Sequence, residues 1–120
     1  MYSPQVLDHF ERPRNAGTLD SPDASAQVEN PVCGDVLKLT ARVSDGRIVD
    51  LKFLAKGCVP AIACGSAITE LGQGKTPEDA AKISREALIH YLGGLPEAST
   101  HASHLAIHAL TVLLKQLRSS

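Results

Sequence analysis

The stretch 36-VLKLTARVSDGRIVDLKFLA-55 decides the fold of this chain. Apolar residues recur at every second position on both sides of Asp45-Gly46, first in Val36–Val43 and again in Ile48–Ala55. Period-two alternation indicates a strand with one buried and one solvated face, and Asp-Gly is typical of a tight hairpin turn. We therefore predict an antiparallel hairpin, with Val49 and Leu51 on the buried face of its second strand.

A short helix precedes this hairpin. Ser3-Pro4 opens it, because serine is a good N-cap and proline is tolerated at the first helical position. Pro13 ends it, since the residue before a proline avoids helical backbone angles. We expect Val6, Leu7 and Phe10 to form its apolar side.

The remaining segments complete an α+β pattern. Residues 15–25 are typical of a loop, and Gln27–Asn30 is predicted as a short first strand. After Gly57 the pattern becomes helical, with helices predicted to begin near Pro60, Thr76, Ser84 and His101. The fold class is therefore α+β, a small antiparallel sheet of about three strands covered by helices.

Composition excludes several classes of function. The chain has 120 residues, 12 basic against 13 acidic side chains and a net charge of −1, and we expect one domain over residues 1–120. This balance argues against a nucleic-acid partner, which selects a basic face. No apolar run has the roughly 18–20 residues of a membrane helix. Three cysteines are an odd number, which disfavours a disulfide scaffold and favours a reducing, cytoplasmic location.

Cys33 and Cys58 are the first candidate ligands. Each stands beside a glycine at the predicted edge of an element, where functional residues concentrate. Because unpaired N–H groups at a helix start favour a thiolate, we expect the pKa of Cys58 to be lowered. The spacing of 24 residues between them is not that of a zinc finger. Two buried, inert thiols are therefore the alternative on composition alone.

A histidine series begins the last predicted helix. His101, His104 and His108 follow at spacings of three and four, and a pair four residues apart can bind zinc. The HExxH motif of helical zinc sites is absent from the sequence. His104 and His108 continue into Thr111 and Lys115, so we interpret them as a solvated or partner-facing stripe. His101 differs because it stands at the helix start, next to a loop.

Three other cysteine and histidine side chains are interpreted as structural residues rather than as ligands. Cys64 shares a helical stripe with Ala61 and Ile68, which is typical of the core-facing side. A ligand role for Cys64 remains the alternative and would need a rotated or later-starting helix. His9 and His90 have no companions and are interpreted as surface residues of their helices.

Several ordered motifs extend over nearly the whole chain. The opening motif is Tyr2-Ser3, Val6, His9-Phe10, Pro13-Arg14-Asn15 and Gly17. The middle motifs are Cys33-Gly34-Asp35, Lys56-Gly57-Cys58, Ala61-Ile62-Ala63, Ser66 and Thr69-Glu70. The last is Gly94-Leu95-Pro96 followed by His101. From Tyr2 to about Leu114 the chain resembles the NifU-like/IscU iron–sulfur cluster scaffold family.

The resemblance implies loops that converge at one end of the fold. Family members accept sulfur from a cysteine desulfurase, collect iron, build a [2Fe–2S] cluster and transfer it to acceptor apo-proteins; many also bind zinc at the same site. By position, Cys33 and Cys58 resemble cluster ligands, Asp35 the aspartate that tunes cluster lability, and His101 the histidine at the edge of the site.

The sequence departs from the family pattern at two places. The family's third cysteine follows the histidine directly, whereas here His101 is followed by Ala102. Cys64 or His104 is the candidate replacement for that ligand. Relatives often carry Leu-Pro-Pro-Val-Lys as a chaperone recognition stretch, whereas here Leu95-Pro96 continues as Glu97-Ala98-Ser99, so the sequence does not support dedicated chaperone recognition.

Two functions of different classes follow. The first is an iron–sulfur scaffold or carrier that binds iron or a labile [2Fe–2S] cluster through Cys33, Asp35, Cys58 and His101. The second is a zinc- or iron-binding accessory module that docks a desulfurase or another assembly partner without building clusters. Neither is an enzyme. A Cys58–His101 nucleophile pair can be drawn, but no oxyanion-hole motif or substrate pocket accompanies it.

Overall fold

The structure, a computed structural model, describes residues 1–119, with side chains as far as Leu117. In chain order the elements are α1 (Pro4–Glu11), β1 (Ala24–Glu29), β2 (Val36–Ser44), β3 (Arg47–Lys56), α2 (Val59–Gly72), α3 (Pro77–Ala80), α4 (Arg85–Tyr91), a 3₁₀ turn (Glu97–Ser99) and α5 (His101–Ser119). The predicted α+β class is confirmed. Within the described residues, no helix is both long and apolar enough to cross a membrane.

The sheet has the order β1-β2-β3, with both neighbouring pairs antiparallel. The predicted hairpin turn is confirmed, with Asp45 and Gly46 both at positive φ between β2 and β3. β1 begins at Ala24, three residues before the predicted start at Gln27. Its buried positions include Ala24 and Ala26, and alanine carries little strand preference, which hid this part of the strand in the sequence.

A β-bulge at the start of β3 exchanges the buried and exposed positions that the sequence predicted there. The register passes from Arg42 opposite Asp50 to Val43 opposite Ile48, which leaves Val49 without a partner. Ile48 is therefore fully buried, whereas Val49 is 42% exposed, and the prediction that Val49 is buried was wrong. One extra residue on a strand shifts by one position the alternation of buried and exposed side chains. A prediction from strict period-two alternation therefore cannot detect a bulge.

Thr40 lies on the polar phase of β2 but is buried. The loop before β1 folds over this part of the sheet, and the backbone N–H of Leu19 donates to Thr40 Oγ1 at 3.1 Å. The same loop covers the outer edge of β3, where Gly17 donates to the carbonyl of Phe53 at 2.8 Å and Phe53 donates to that of Asn15 at 3.0 Å. The loop before β1 therefore buries Thr40, although the alternating pattern of β2 predicts an exposed side chain at this position.

Helices α2 and α5 pack together and contact the sheet, enclosing the core. Gly65 of α2 lies against Phe53, where a Cβ atom would come within 3.0 Å of the ring, so glycine permits this close approach. At the far side, α5 lies along the edge strand β1, where the side chain of Gln116 accepts from the N–H of Ser25 at 3.0 Å and donates to its carbonyl.

Helix α1 buries a different face from the one predicted. Val6 is fully buried as predicted, but Leu7 and Phe10 are 41% and 37% exposed, and His9 is buried instead. His9 Nδ1 lies 2.8 Å from Ser66 Oγ, and its Nε2 lies 3.5 Å from Glu70 Oε1. Burial, followed by the charge of Arg14, lowers the pKa of His9. The interpretation of His9 as a surface residue was therefore wrong, while His90 is exposed as expected.

We predict that Ile48→Ala costs about 2–5 kcal/mol of unfolding free energy, because it opens a cavity in the core. Val49→Ala removes a half-exposed side chain and should cost no more than about 1 kcal/mol. Urea denaturation of both variants measures the difference. Equal losses at the two positions would contradict the bulged register.

Candidate metal centre

Three chain segments meet at one end of the sheet. The first is the turn between β1 and β2, which carries Cys33 and Asp35. The second is the junction of β3 and α2, where Cys58 is the N-cap residue of the helix. The third is the start of α5, which begins at His101. The antiparallel sheet brings the first two together, because the end of β3 pairs with the start of β2.

The turn before β2 is held by its own backbone. Asn30 donates to the carbonyl of Asp35 at 2.8 Å, and Gly34 donates to that of Asn30 at 2.7 Å. Asn30 Oδ1 also accepts from the N–H of Val32 at 2.9 Å. These bonds present the Cys33 thiol at the surface and turn the Asp35 side chain inward, where it is only 5% exposed.

Gly57 is the partner that admits Asp35. Its φ is +154°, and a Cβ atom placed there would overlap the Asp35 carboxyl group. Glycine is therefore required by space as well as by backbone angle. Gly57 was predicted as a helix boundary and as part of the Lys56-Gly57-Cys58 motif. Its role in admitting Asp35 was missed, although its position directly before Cys58 was the available signal.

Three of the four predicted donors form one group, and the fourth, Cys58, contacts two of its members. The ligand atoms of Cys33, Asp35 and His101 all lie within 4.8 Å of one another. Cys58 Sγ donates to Asp35 Oδ2 at 3.1 Å and lies 4.0 Å from His101 Nε2. His101 Nε2 is 3.7 Å from the same Asp35 oxygen, which makes Asp35 the centre of the group.

His101 presents one ring nitrogen to this group. Its Nδ1 lies 3.2 Å from the carbonyl of Ala98, an acceptor that favours the tautomer with the proton on Nδ1. The lone pair of Nε2 then points toward Cys58 and Asp35. A hydrogen bond from the second nitrogen to a carbonyl is the usual support of a metal-binding histidine.

The predicted low pKa of Cys58 was wrong. Burial raises the pKa of this thiol, and the hydrogen bond to Asp35 raises it further, because the carboxylate stabilises the protonated form. A backbone hydrogen bond from Ala61 at the helix start acts in the predicted direction, but it is outweighed. The helix effect exists, but burial of the thiol and the neighbouring acid, which the sequence places 23 positions away, together outweigh it.

No third thiol joins this group among the residues that the structure describes. Cys64 is fully buried in the core, as its stripe predicted, and burial raises the pKa of its thiol to about 12. Ala102, next to His101, is also buried. His104 and His108 are exposed on α5 beside the group. Among the residues that the structure describes, the thiols at the surface are those of Cys33 and Cys58.

This donor set suits a divalent metal ion. Two thiolates, one carboxylate and one neutral imidazole around such an ion sum to a single negative charge, and all four types are ligands that zinc and ferrous iron accept. Because both thiols must lose protons, binding has to release protons. The exposed position of Cys33 leaves the group open to solvent.

The sequence matches one family model and several curated iron-sulfur cluster assembly proteins. The family model described as the NifU-like N terminal domain matches residues 1–119. The iron-sulfur cluster assembly scaffold protein IscU 1 of Archaeoglobus fulgidus is 49% identical over 110 residues, which are 92% of this chain and 72% of that protein. The IscU scaffold protein of Aquifex aeolicus is 37% identical over 95% of this chain and 74% of its own length.

Solved structures show the same fold. The N-terminal part of a NifU-like protein from Brucella abortus superimposes with a TM-score of 0.79 at 20% identity, over 98% of this chain and 94% of that one. A structure described as a putative SUF-system scaffold protein from Fervidobacterium islandicum gives 0.77 at 20% identity, over 94% of this chain and 96% of its own. The family match over residues 1–119, together with these relatives, shows that the chain belongs to the NifU-like N terminal domain family.

Proposed function

We propose that this protein is an iron–sulfur cluster assembly scaffold or carrier, acting as a single domain that binds iron or a labile [2Fe–2S] cluster and transfers it to acceptor apo-proteins. The observation that supports this most directly is the meeting of Cys33, Asp35, Cys58 and His101 at one tip of the fold. The scaffold relatives named above agree with it.

The ligand chemistry supports release as well as capture. Iron–sulfur clusters are held mainly by thiolates, and imidazole is a known substitute. The carboxylate of Asp35 is a harder ligand that binds iron–sulfur units less firmly than thiolate does. A mixed set with an open face therefore favours a cargo that is held briefly, which is what a transfer protein requires.

The proposed partners follow from this role. A cysteine desulfurase is the sulfur donor, and apo-proteins receive the finished cluster. The two surface thiols, Cys33 and Cys58, are the groups able to take sulfur from a partner. We propose no turnover reaction for the protein itself. A cytoplasmic location stays a prediction, and one relative, from Debaryomyces hansenii, is named a mitochondrial protein.

A zinc- or iron-binding accessory module is the second candidate. It is favoured by the shortage of sulfur at the site, since Cys64 is buried and Ala102 occupies the position after His101. A mononuclear ion needs no third thiolate. Such a protein would keep the fold and dock assembly partners without building a cluster.

We predict that anaerobic reconstitution with iron and sulfide gives a visible iron–sulfur absorption band and acid-labile sulfide. Both signals should be lost in Cys33→Ala and Cys58→Ala, because each removes one of the two surface thiolates. Metal and sulfide analysis of the desalted protein is the measurement. Cys64→Ala is the matched control, since that buried thiol should leave the signals unchanged. If the native protein holds only zinc or mononuclear iron, the accessory module is the correct function.

We predict that Gly57→Ala weakens zinc binding by about tenfold or more, the loss typical when the support of a metal ligand is disturbed. The added Cβ must displace Asp35. Gly74→Ala is the matched control, because it also has positive φ but nothing within 4 Å of the added atom. Both variants should lose about 1–3 kcal/mol of stability from backbone strain. Equal zinc affinity in the two, measured by competition with a chelating dye, would contradict the role of Gly57.

We predict that Asp35→Asn lowers the pKa of Cys58 in the metal-free protein. In the native protein the carboxylate raises this pKa, so removal of its charge must shift the thiol titration to lower pH. The rate of alkylation by iodoacetamide against pH, followed by peptide mass spectrometry, gives the midpoint. The exposed Cys33 in the same samples controls for the reagent. An unchanged or higher midpoint for Cys58 would refute the assigned cause.

A further inference from the structure

The exposed side of α5 carries a second pair of metal-binding side chains. His104 and His108 are four residues apart on this helix, and both are exposed. Side chains at this spacing lie on one face with Cβ atoms about 5–6 Å apart, which allows both imidazoles to reach one ion. Within the described part of the chain, neither imidazole takes part in a hydrogen bond or an ion pair, so both nitrogens are available.

The helix beneath the pair is rigidly placed. The residues on the opposite side of this segment are buried in the core; they are Ala102, Ser103, Ala106, Ala109 and Leu110. His104 and His108 therefore have a fixed backbone, and binding an ion restricts only their side-chain rotations. A preorganised pair loses less conformational entropy on binding than two residues of a loop.

A shallow depression of about 380 Å³ adjoins the pair. It is lined by Glu29, Asn30, Pro31, His101, His104, Leu105 and His108. Glu29 ends β1 and is exposed, so it adds negative charge beside the imidazoles and favours a cation over an anion. The open form of the depression leaves room for water molecules in the remaining coordination positions.

This pair is separate from the cysteine-containing centre. His101 directs Nε2 toward Cys58 and Asp35 and places Nδ1 against Ala98, so both of its nitrogens are engaged there. The midpoint of His104 and His108 lies about five residues further along α5, which is roughly 8 Å along the helix axis. An ion on the pair would therefore not share the ligands of the first site.

We propose that His104 and His108 form a second metal site, open to water, that takes a divalent first-row transition metal through imidazole nitrogen. Zn²⁺ is the probe of choice, because imidazole is among its preferred ligands and it undergoes no redox change. Thiolate is not needed at this site. The proposal therefore stands independently of whether the protein builds clusters.

The test is zinc titration of the full-length Cys33→Ala/Cys58→Ala variant by isothermal calorimetry. We expect about one equivalent of saturable binding, and its loss when His104→Ala and His108→Ala are added. His90→Ala in the same background is the matched control, since His90 is also exposed on a helix but lies on α4. Absence of saturable binding, or binding that survives the two α5 substitutions, overturns the proposal.

A second measurement does not depend on the folding of the cysteine variants. In the protein with all three cysteines, the His104→Ala/His108→Ala variant should bind one equivalent of zinc less than the unsubstituted chain. An unchanged zinc stoichiometry would refute the second site.

Discussion

The candidate site depends on the packing of the Asp35 carboxylate against Gly57 and the Cys58 thiol. The carboxylate is buried, accepts from the Cys58 thiol, lies near His101 and occupies space that only glycine leaves open. Buried carboxylates are costly without such partners. The same contact joins the hairpin to α2, so the fold and the donor geometry depend on one packing arrangement.

The sequence was sufficient for the fold where local pattern and tertiary packing agree. The Asp45-Gly46 turn, the helix starts and the burial of Cys64 are determined by residues close in sequence. It was insufficient where a distant segment intervened. The burial of His9 against Ser66 arises from a contact between residues 57 positions apart. The bulge that exposes Val49 lies within the hairpin, but the apolar pattern does not reveal it because Ile48 and Val49 are both apolar.

At the candidate site, too, features set by local sequence were predicted and features set by distant segments were missed. The four candidate ligands were predicted from their residue types and from the family resemblance. In the structure Cys33, Asp35 and His101 form one group, and Cys58 lies against Asp35 and His101. The direction of the Cys58 pKa shift was mispredicted, because a helix start acts locally, whereas burial of the thiol and its hydrogen bond to Asp35 both arise from the fold. The role of Gly57 depends on the fold in the same way, since the atom it must avoid belongs to another segment.

Both edges of the three-stranded sheet are occupied. Gln116 binds the backbone of Ser25 at the outer edge of β1, and residues 15–17 bind that of Phe53 at the outer edge of β3. Exposed strand edges are templates on which other chains add strands and polymerise. The contacts at Ser25 and Phe53 therefore hinder strand addition at both edges, and this protection from amyloid-like self-association does not depend on a bound ligand.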